Sequence, residues 1–209
     1  MLVIGITGGV ASGKSTIIRA LGNKGVITID ADKLGHKAYQ KGTPCYDSLV
    51  ENFGPTVIGA DGEINRRRLG EIVFSDKSKM IELNNIVWPV IRQLLIVELD
   101  LIKGCASPDC PQPIVAVEAA IMIEAGWQDL VSMLWVVRIE RAIAKDFLMA
   151  RNSISEEEAY KRIDSQISND DRCGYATYVL LNDGSREHLE VETHRLLEQV
   201  IHRTDSLQR

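Results

Sequence analysis

Residues 2–15 read LVIGITGGVASGKS, and this stretch decides the fold. Leu2 to Thr7 is short, apolar and rich in β-branched residues, then breaks at Gly8-Gly9, the pattern of a buried strand ending in a tight turn. A helix is expected from about Lys14. Gly8 to Ser15 matches GxxxxGK[ST], and the apolar strand before it and helix after it are the context that makes the match specific. Glycines at 8 and 13 let the backbone turn its amides toward one point, and the helix adds the partial positive charge of its first turn. Gly8, Gly9, Val10, Ala11, Ser12 and Gly13 therefore form a nest for phosphate oxygens. Lys14 supplies a point charge to the β- and γ-phosphates, Ser15 a hydroxyl ligand for Mg2+, and Thr16 a bond to the α-phosphate of ATP. The cradle alone does not separate kinases from GTPases, ATPases or transport motors.

Outward from this element, Val26–Ile29 (VITI) reads as a second strand ending at Asp30-Ala31-Asp32, with a helix over Lys33–Gln40. Pro44 to about Gly104 is helical apart from a break at Asp61-Gly62, with Asn65 placed to cap Arg66–Phe74 and Asp76 to cap a longer helix. Gly104–Pro113 (GCASPDCPQP) has the composition of an exposed loop. Strand character returns at Ile114–Val117, Met133–Ile139 and Thr177–Leu181. Ser155-x-x-Glu158 is a capping box opening a helix to about Ser168, and an amphipathic helix closes the chain from Arg186 to about His202. Five strands separated by helical sequence predict an α/β fold, a five-stranded parallel sheet with helices on both faces.

Composition narrows the class. A chain of 209 residues, 45% hydrophobic and 25% charged, suits one substantial core, and a net charge of -5 offers no global attraction for polyanions, so nucleic acid is not an expected partner. No run approaches the roughly 18 apolar residues that span a bilayer, and the N-terminus lacks a basic leader region, so no membrane association is expected and a cytoplasmic location is. Met1 stands immediately before the first strand, as in a free-standing enzyme or a trimmed piece of a longer one. Cys45, Cys105, Cys110 and Cys173 have neither zinc nor redox spacing. They read as ordinary thiols, a Cys105–Cys110 pair being the minor alternative.

A carboxylate at a strand end opposite the γ-phosphate can take a proton from an attacking hydroxyl. Asp30 and Asp32 occupy such an end. Asp30 suits a helix N-cap equally well, which makes Asp32 the candidate base. The series TGGVASGKST, IDADKLG, DGEINRRRLGEIVF, Trp88-Pro89 and EAAIMIEAGW resembles the dephospho-coenzyme A kinases. In LGHKAY, INRR, WPVI and IEAGWQDLV it is similar to the eukaryotic form, often the second half of a bifunctional coenzyme A synthase. The likeness runs from Leu2 to about Gln199.

The resemblance implies a P-loop kinase fold in three parts: a nucleotide core of about 1–35, 112–140 and 174–205, a helical acceptor lobe of about 36–104, and a lid of about 141–172. It implies transfer of the ATP γ-phosphate to the ribose 3'-hydroxyl of dephospho-CoA. It places Asp32, His36, Arg66, Arg67 and Trp88 with the substrate, and neighbouring guanidiniums at 66 and 67 suit a pyrophosphate clamp. Without the likeness, a solvated basic face would be the preferred reading of that pair. Glu118 falls where the family commonly has a magnesium-holding aspartate. Glu124 falls at an acidic substrate-orienting position, a capping or surface role being the alternative. The lid stretch departs from the family in carrying Asp146 and Phe147 where basic residues are usual, passing the lid arginine's role to Arg141, Lys145 or Arg151. Asn182 and Gly184 resemble the segment near the adenine. A pantetheine-phosphate adenylyltransferase is implied as a covalent or separate neighbour. Another small-molecule or nucleoside monophosphate kinase remains as an alternative, as does a nucleotide-binding regulatory subunit.

Overall fold

In the computed structural model, which describes residues 1–105 and 112–207, the apolar run that opens the chain becomes the middle of a sheet. β1 (Leu2–Gly8), β2 (Ile27–Asp30), β3 (Ile114–Glu118), β4 (Met133–Ile139) and β5 (Tyr178–Asn182) form one five-stranded parallel sheet in the order β2-β3-β1-β4-β5. A central parallel strand is covered on both faces, which is why β1 carries no alternating polar residues. Its register sets Ile6 beside Glu118 of β3 and Gly8 beside Val137 of β4. The same register brings the end of β3 level with the start of the glycine-rich turn.

Two units divide the chain. The first comprises Met1–Ile29 and Ala106–Arg209. Here α1 (Lys14–Asn23) and α9 (Arg186–Leu207) pack together on the sheet, burying Ile17, Leu21, Leu189 and Val200 against Ile4, Ile6, Trp135 and Leu180. Trp127 and Trp135 are fully buried and pack in the core. Three further helices, α6 (Arg141–Asn152), α7 (Glu156–Asp164) and α8 (Asn169–Cys173), lie between β4 and β5.

The second unit, Asp30–Cys105, is helical. It contains α2 (Ala31–Ala38), α3 (Pro44–Phe53), α4 (Arg66–Ser75) and α5 (Lys77–Gly104). The Asp61-Gly62 break is a tight turn between Ile58 and Ile64, which form an isolated antiparallel bridge, with Gly62 at φ 80°. Val87, Ile91, Leu95 and Leu99 bury a stripe of α5 at a spacing of four, each stabilising by about 1.5–3 kcal/mol relative to exposure. Helices α2, α3 and α4 all pack on α5.

Caps decide where the sequence reading held and where it moved. Asn65 accepts from the Arg68 amide at 3.2 Å, and Asp76 accepts from the Ser78 amide at 2.8 Å, as expected. Asp30 accepts from the Lys33 amide at 3.1 Å, so α2 opens at Ala31, two residues earlier than the apolar pattern suggests. The helix begun by Ser155 stops at Asp164 instead of reaching Ser168, because Ser168 caps α8 by accepting from the Asp171 amide. β5 runs one residue further than expected, which places Asn182 inside the sheet, and α9 continues past His202 to Leu207.

Cys45, Cys105 and Cys173 are free thiols, whereas Cys110 and its suggested pairing lie outside the described residues, as does most of the loop that carries it. Among the described residues, no helix is long and apolar enough to cross a membrane.

Candidate active site

The turn after β1 is held by its own backbone and by two side chains from far along the sequence. A Cβ on Gly8 would lie 2.6 Å from Ser12 Oγ and 2.7 Å from the Val137 carbonyl oxygen, so only glycine fits. Gly13, at φ 98°, caps α1, and its carbonyl accepts from the Thr16 amide at 2.9 Å. Between them Ala11 sits in the left-handed region at φ 59°, a conformation unusual for a residue with a side chain. Lys14 Nζ donates to the carbonyls of Gly8 and Gly9 at 2.9 and 3.1 Å. This places its ammonium across the mouth of the loop. Asn182 Nδ2 donates to the Ser12 carbonyl, and Gln166 Oε1 accepts from the Val10 amide at 2.7 Å.

Two cavities border this loop at different points. The first, about 220 Å³, is lined by Ala11, Gly13, Ser15 and Thr16 together with Phe147, Arg151, Asn182, Gly184, Arg186 and Leu189. It joins an aromatic ring, two guanidiniums and the first turn of α1, a mix suited to a nucleotide with its phosphates at the helix start. The second, about 400 Å³, borders Gly9 and Val10 and receives Arg138, Arg141, Gln166 and Arg172. Of the sequence's lid candidates, Arg151 thus lines the cavity of the loop's later half. Arg141 lies at its earlier half, in a bidentate pair with Asp164 and 3.9 Å from the Tyr160 ring centroid. Lys145 is paired with Asp146 and Glu156.

Asn182, read from sequence as near the adenine, has a buried side chain that holds the loop from beneath, and its Oδ1 accepts from the Gly184 amide at 2.9 Å. Glu118 is half-buried at the end of β3, next to the loop in register. Glu124 is paired with Arg172 at 3.4 Å, an internal ion pair in place of the surface or capping charge given as its alternative. Burial pulls the Arg172 guanidinium below its usual range, and the Glu124 carboxylate opposes that shift. Sequence reading missed Arg138, Gln166, Arg172 and Arg186 as neighbours of the loop. None carries a local motif, although Arg186 at the first turn of α9 follows the Asn182-Asp183-Gly184 segment closely enough to have been a candidate.

The helical unit holds the other candidates. Asp32 and His36 lie four residues apart on α2 and so share one face, both exposed. His36 lines a cavity of about 610 Å³ with Tyr39, Gln40, Asp61, Glu63, Ile64 and Arg66. Burial and then the Arg66 charge lower the His36 pKa below 6.5, with Asp30 and Asp32 acting in the opposite sense. The imidazole is therefore mostly neutral at pH 7. Arg67 points away to Glu71 at 3.1 Å and does not line this cavity, so the two neighbouring arginines do not form one clamp. Successive helix residues lie about 100° apart, and only one of the pair faces α2. Trp88 is half-buried on α5 and lines none of these three cavities.

Comparison with known proteins identifies the family. A family profile described as dephospho-CoA kinase matches residues 2–188. The dephospho-CoA kinase of Bacillus licheniformis is 36% identical over 197 residues, covering 94% of this chain and 96% of the relative. A crystal structure of a Thermus thermophilus protein superposes with a TM-score of 0.76 at 30% identity, covering 95% of this chain and 97% of that one. The dephospho-CoA kinase of Campylobacter jejuni, at 24% identity and a TM-score of 0.70 over 95% of this chain and 96% of its own, shares the fold. A phosphate cradle continuous with β1, and a match that runs through the sheet, the helical unit and the start of α9, establish that this chain belongs to the dephospho-CoA kinase family.

Proposed function

We propose that the side chains described above divide the family's reaction between binding, proton removal and charge neutralisation. As a dephospho-CoA kinase the chain catalyses the final step of coenzyme A biosynthesis, phosphorylating the acceptor at the expense of ATP. The loop from Gly8 to Thr16 holds the triphosphate through its amides, and Lys14 moves from the Gly8 and Gly9 carbonyls to the β- and γ-oxygens. Asp32 takes the proton from the ribose 3'-hydroxyl as it attacks. A neutral His36 on the same helix face and Arg66 beside it bind the substrate, the guanidinium matching phosphate geometry. Arg151 lines the nucleotide cavity and neutralises charge on the transferring group. We assign 141–172 as the lid and 36–104 as the acceptor lobe.

Magnesium fits the donors present. Ser15 offers an exposed hydroxyl at the start of α1 and Glu118 a carboxylate at the neighbouring strand end, both hard oxygens. Among the described residues no cluster of three or more His, Cys, Asp or Glu forms a protein cage. A sparse oxygen set shared with water and phosphate is typical of magnesium, which would neutralise charge on the β- and γ-oxygens when bound. The LGHKAY and INRR blocks support kinship with the kinase half of the eukaryotic bifunctional synthase. An adenylyltransferase that makes dephospho-CoA is then the natural neighbour, and a cytoplasmic location accords with both.

The observation that carries this reading is the cradle itself, with Lys14 across its mouth and a side-chain-free Gly8 beneath it. The test is ADP and coenzyme A formation by purified protein with ATP and magnesium, with and without dephospho-CoA. Product only when the acceptor is present supports the assignment. ATP binding without acceptor-stimulated turnover would overturn it and favour a regulatory role.

A further inference from the structure

Gln166, Asn169 and Arg172 follow one another at intervals of three from the segment after α7 into α8, and all three converge on one backbone position. A Cβ built on Gly9 would stand 3.5 Å from Arg172 Nη1, 3.6 Å from Gln166 Oε1 and 3.9 Å from Asn169 Oδ1. Each is anchored differently. Gln166 accepts from the Val10 amide, Asn169 Nδ2 donates to the Ile139 carbonyl at 2.8 Å, and Arg172, only 1% exposed, reaches Glu124 at 3.4 Å. That pair leaves Arg172 Nε and Glu124 Oε2 buried without hydrogen-bond partners. A buried guanidinium with incomplete pairing is costly and is not explained by packing alone.

We infer that Gln166, backed by the Arg172–Glu124 pair, is a positioning residue for the phosphate cradle: it fixes the Val10 amide and sets a buried positive charge against Gly9. The inference rests on reading Gly8–Ser15 as the ATP cradle. The loop is then held at two points, Asn182 on the Ser12 carbonyl and Gln166 on the Val10 amide. The second hold comes from the stretch that joins α7 to α8, so movement of those helices alters the amide directions that the triphosphate meets. A preorganised donor set binds developing charge without reorienting, which is what such a brace supplies. The Arg172–Glu124 pair turns its positive end toward Gly9, and being shielded from solvent it acts on a nearby anion with little screening. Arg172 need not touch the nucleotide.

The experiment uses the full chain and three readouts: hydrogen exchange of the Val10 amide, ATP affinity by calorimetry without acceptor, and KM for ATP against kcat. Gln166→Met, which fills the space but accepts no strong hydrogen bond, is expected to lose Val10 protection and weaken ATP binding about five- to tenfold, as for one lost hydrogen bond. KM for ATP should rise more than kcat falls. Gln166→Glu keeps an oxygen acceptor and should retain the amide protection. Arg172→Met combined with Glu124→Gln removes both charges, leaves no orphaned carboxylate, and should also weaken ATP binding while remaining folded. Unchanged Val10 exchange and unchanged ATP affinity in Gln166→Met would overturn the inference even with the kinase assignment intact. Failure of the wild-type protein to bind ATP would overturn the cradle reading and this inference together.

Discussion

Asn182 Nδ2 donates to the Ser12 carbonyl oxygen at 2.8 Å across 170 residues of sequence, and the same side chain accepts from the Gly184 amide through Oδ1. One buried amide thus ties the end of β5 to the middle of the phosphate loop. Replacing Asn182 by Asp sets a carboxylate oxygen against a carbonyl oxygen in a buried site. We expect a loss of about 1–3 kcal/mol of stability, the cost of an unsatisfied buried acceptor, measurable by chemical denaturation. A weaker affinity for ATP should accompany it. Unchanged stability would show that the clasp is dispensable.

The loop glycines should differ in tolerance. At Gly8 an added methyl meets Ser12 Oγ and the Val137 carbonyl, the latter backbone that cannot move aside, and at Gly13 it meets Asn182 Nδ2 at 2.8 Å and imposes φ 98° on a residue with a side chain. Gly13→Ala should cost about 1–2 kcal/mol from backbone strain alone. Gly9→Ala meets nothing nearer than 3.5 Å and has ordinary φ, so it should fold normally. Thermal denaturation of the three alanine variants tests the ranking.

Asp32→Asn should lower kcat by about 10²–10⁴, the range for loss of a general base, while ATP affinity stays within about twofold. The N-cap of α2 is Asp30, whose bond to the Lys33 amide is untouched by the substitution, so α2 should still form in the variant. Equal losses of turnover in Asp32→Asn and ATP binding would exclude the base assignment.

The His36 titration is accessible by NMR. Burial and the Arg66 charge both hold its pKa below 6.5, so the folded state carries fewer protons than the unfolded state just below that pH. Stability attributable to this group is therefore present above about pH 6.5 and declines as pH falls through the folded pKa. Arg66→Met should move the midpoint upward, because the guanidinium is one of the two causes that lower it. A midpoint that does not move would separate Arg66 from His36.

Arg151 and Arg141 should also diverge. Arg151→Ala should raise KM for ATP because it lines the cavity with Thr16 and Gly13. Arg141 is exposed and committed to Asp164, and Asp164→Ala should change stability little, exposed pairs contributing about 0–1 kcal/mol. Steady-state kinetics of Arg151→Ala and Arg141→Ala decides between them, KM for ATP being expected to stay near the wild-type value in Arg141→Ala, and chemical denaturation of Asp164→Ala checks the pair.

Local chemistry made much of this protein legible. The β1 run, the glycine spacing, and the caps at Asn65, Asp76 and Ser155 act over a few residues, and their outcomes follow from backbone sterics and hydrogen bonding close at hand. The parallel sheet follows as well, since strands separated by helices have few other ways to bury both faces. The order of the strands, which puts Glu118 and Gly8 at the same sheet end, required long-range pairing. Arg66 and Arg67 were indistinguishable as letters, and the helix turn sends one to His36 and the other to Glu71. Gln166 and Arg172 reach the loop from beyond residue 160 with no local pattern to mark them, and Asn182, though singled out in the sequence, holds the loop through a contact that the sequence does not show. Contacts at such separation depend on how whole elements pack, so the cradle is written in the sequence but what holds it in shape is decided only by the tertiary structure.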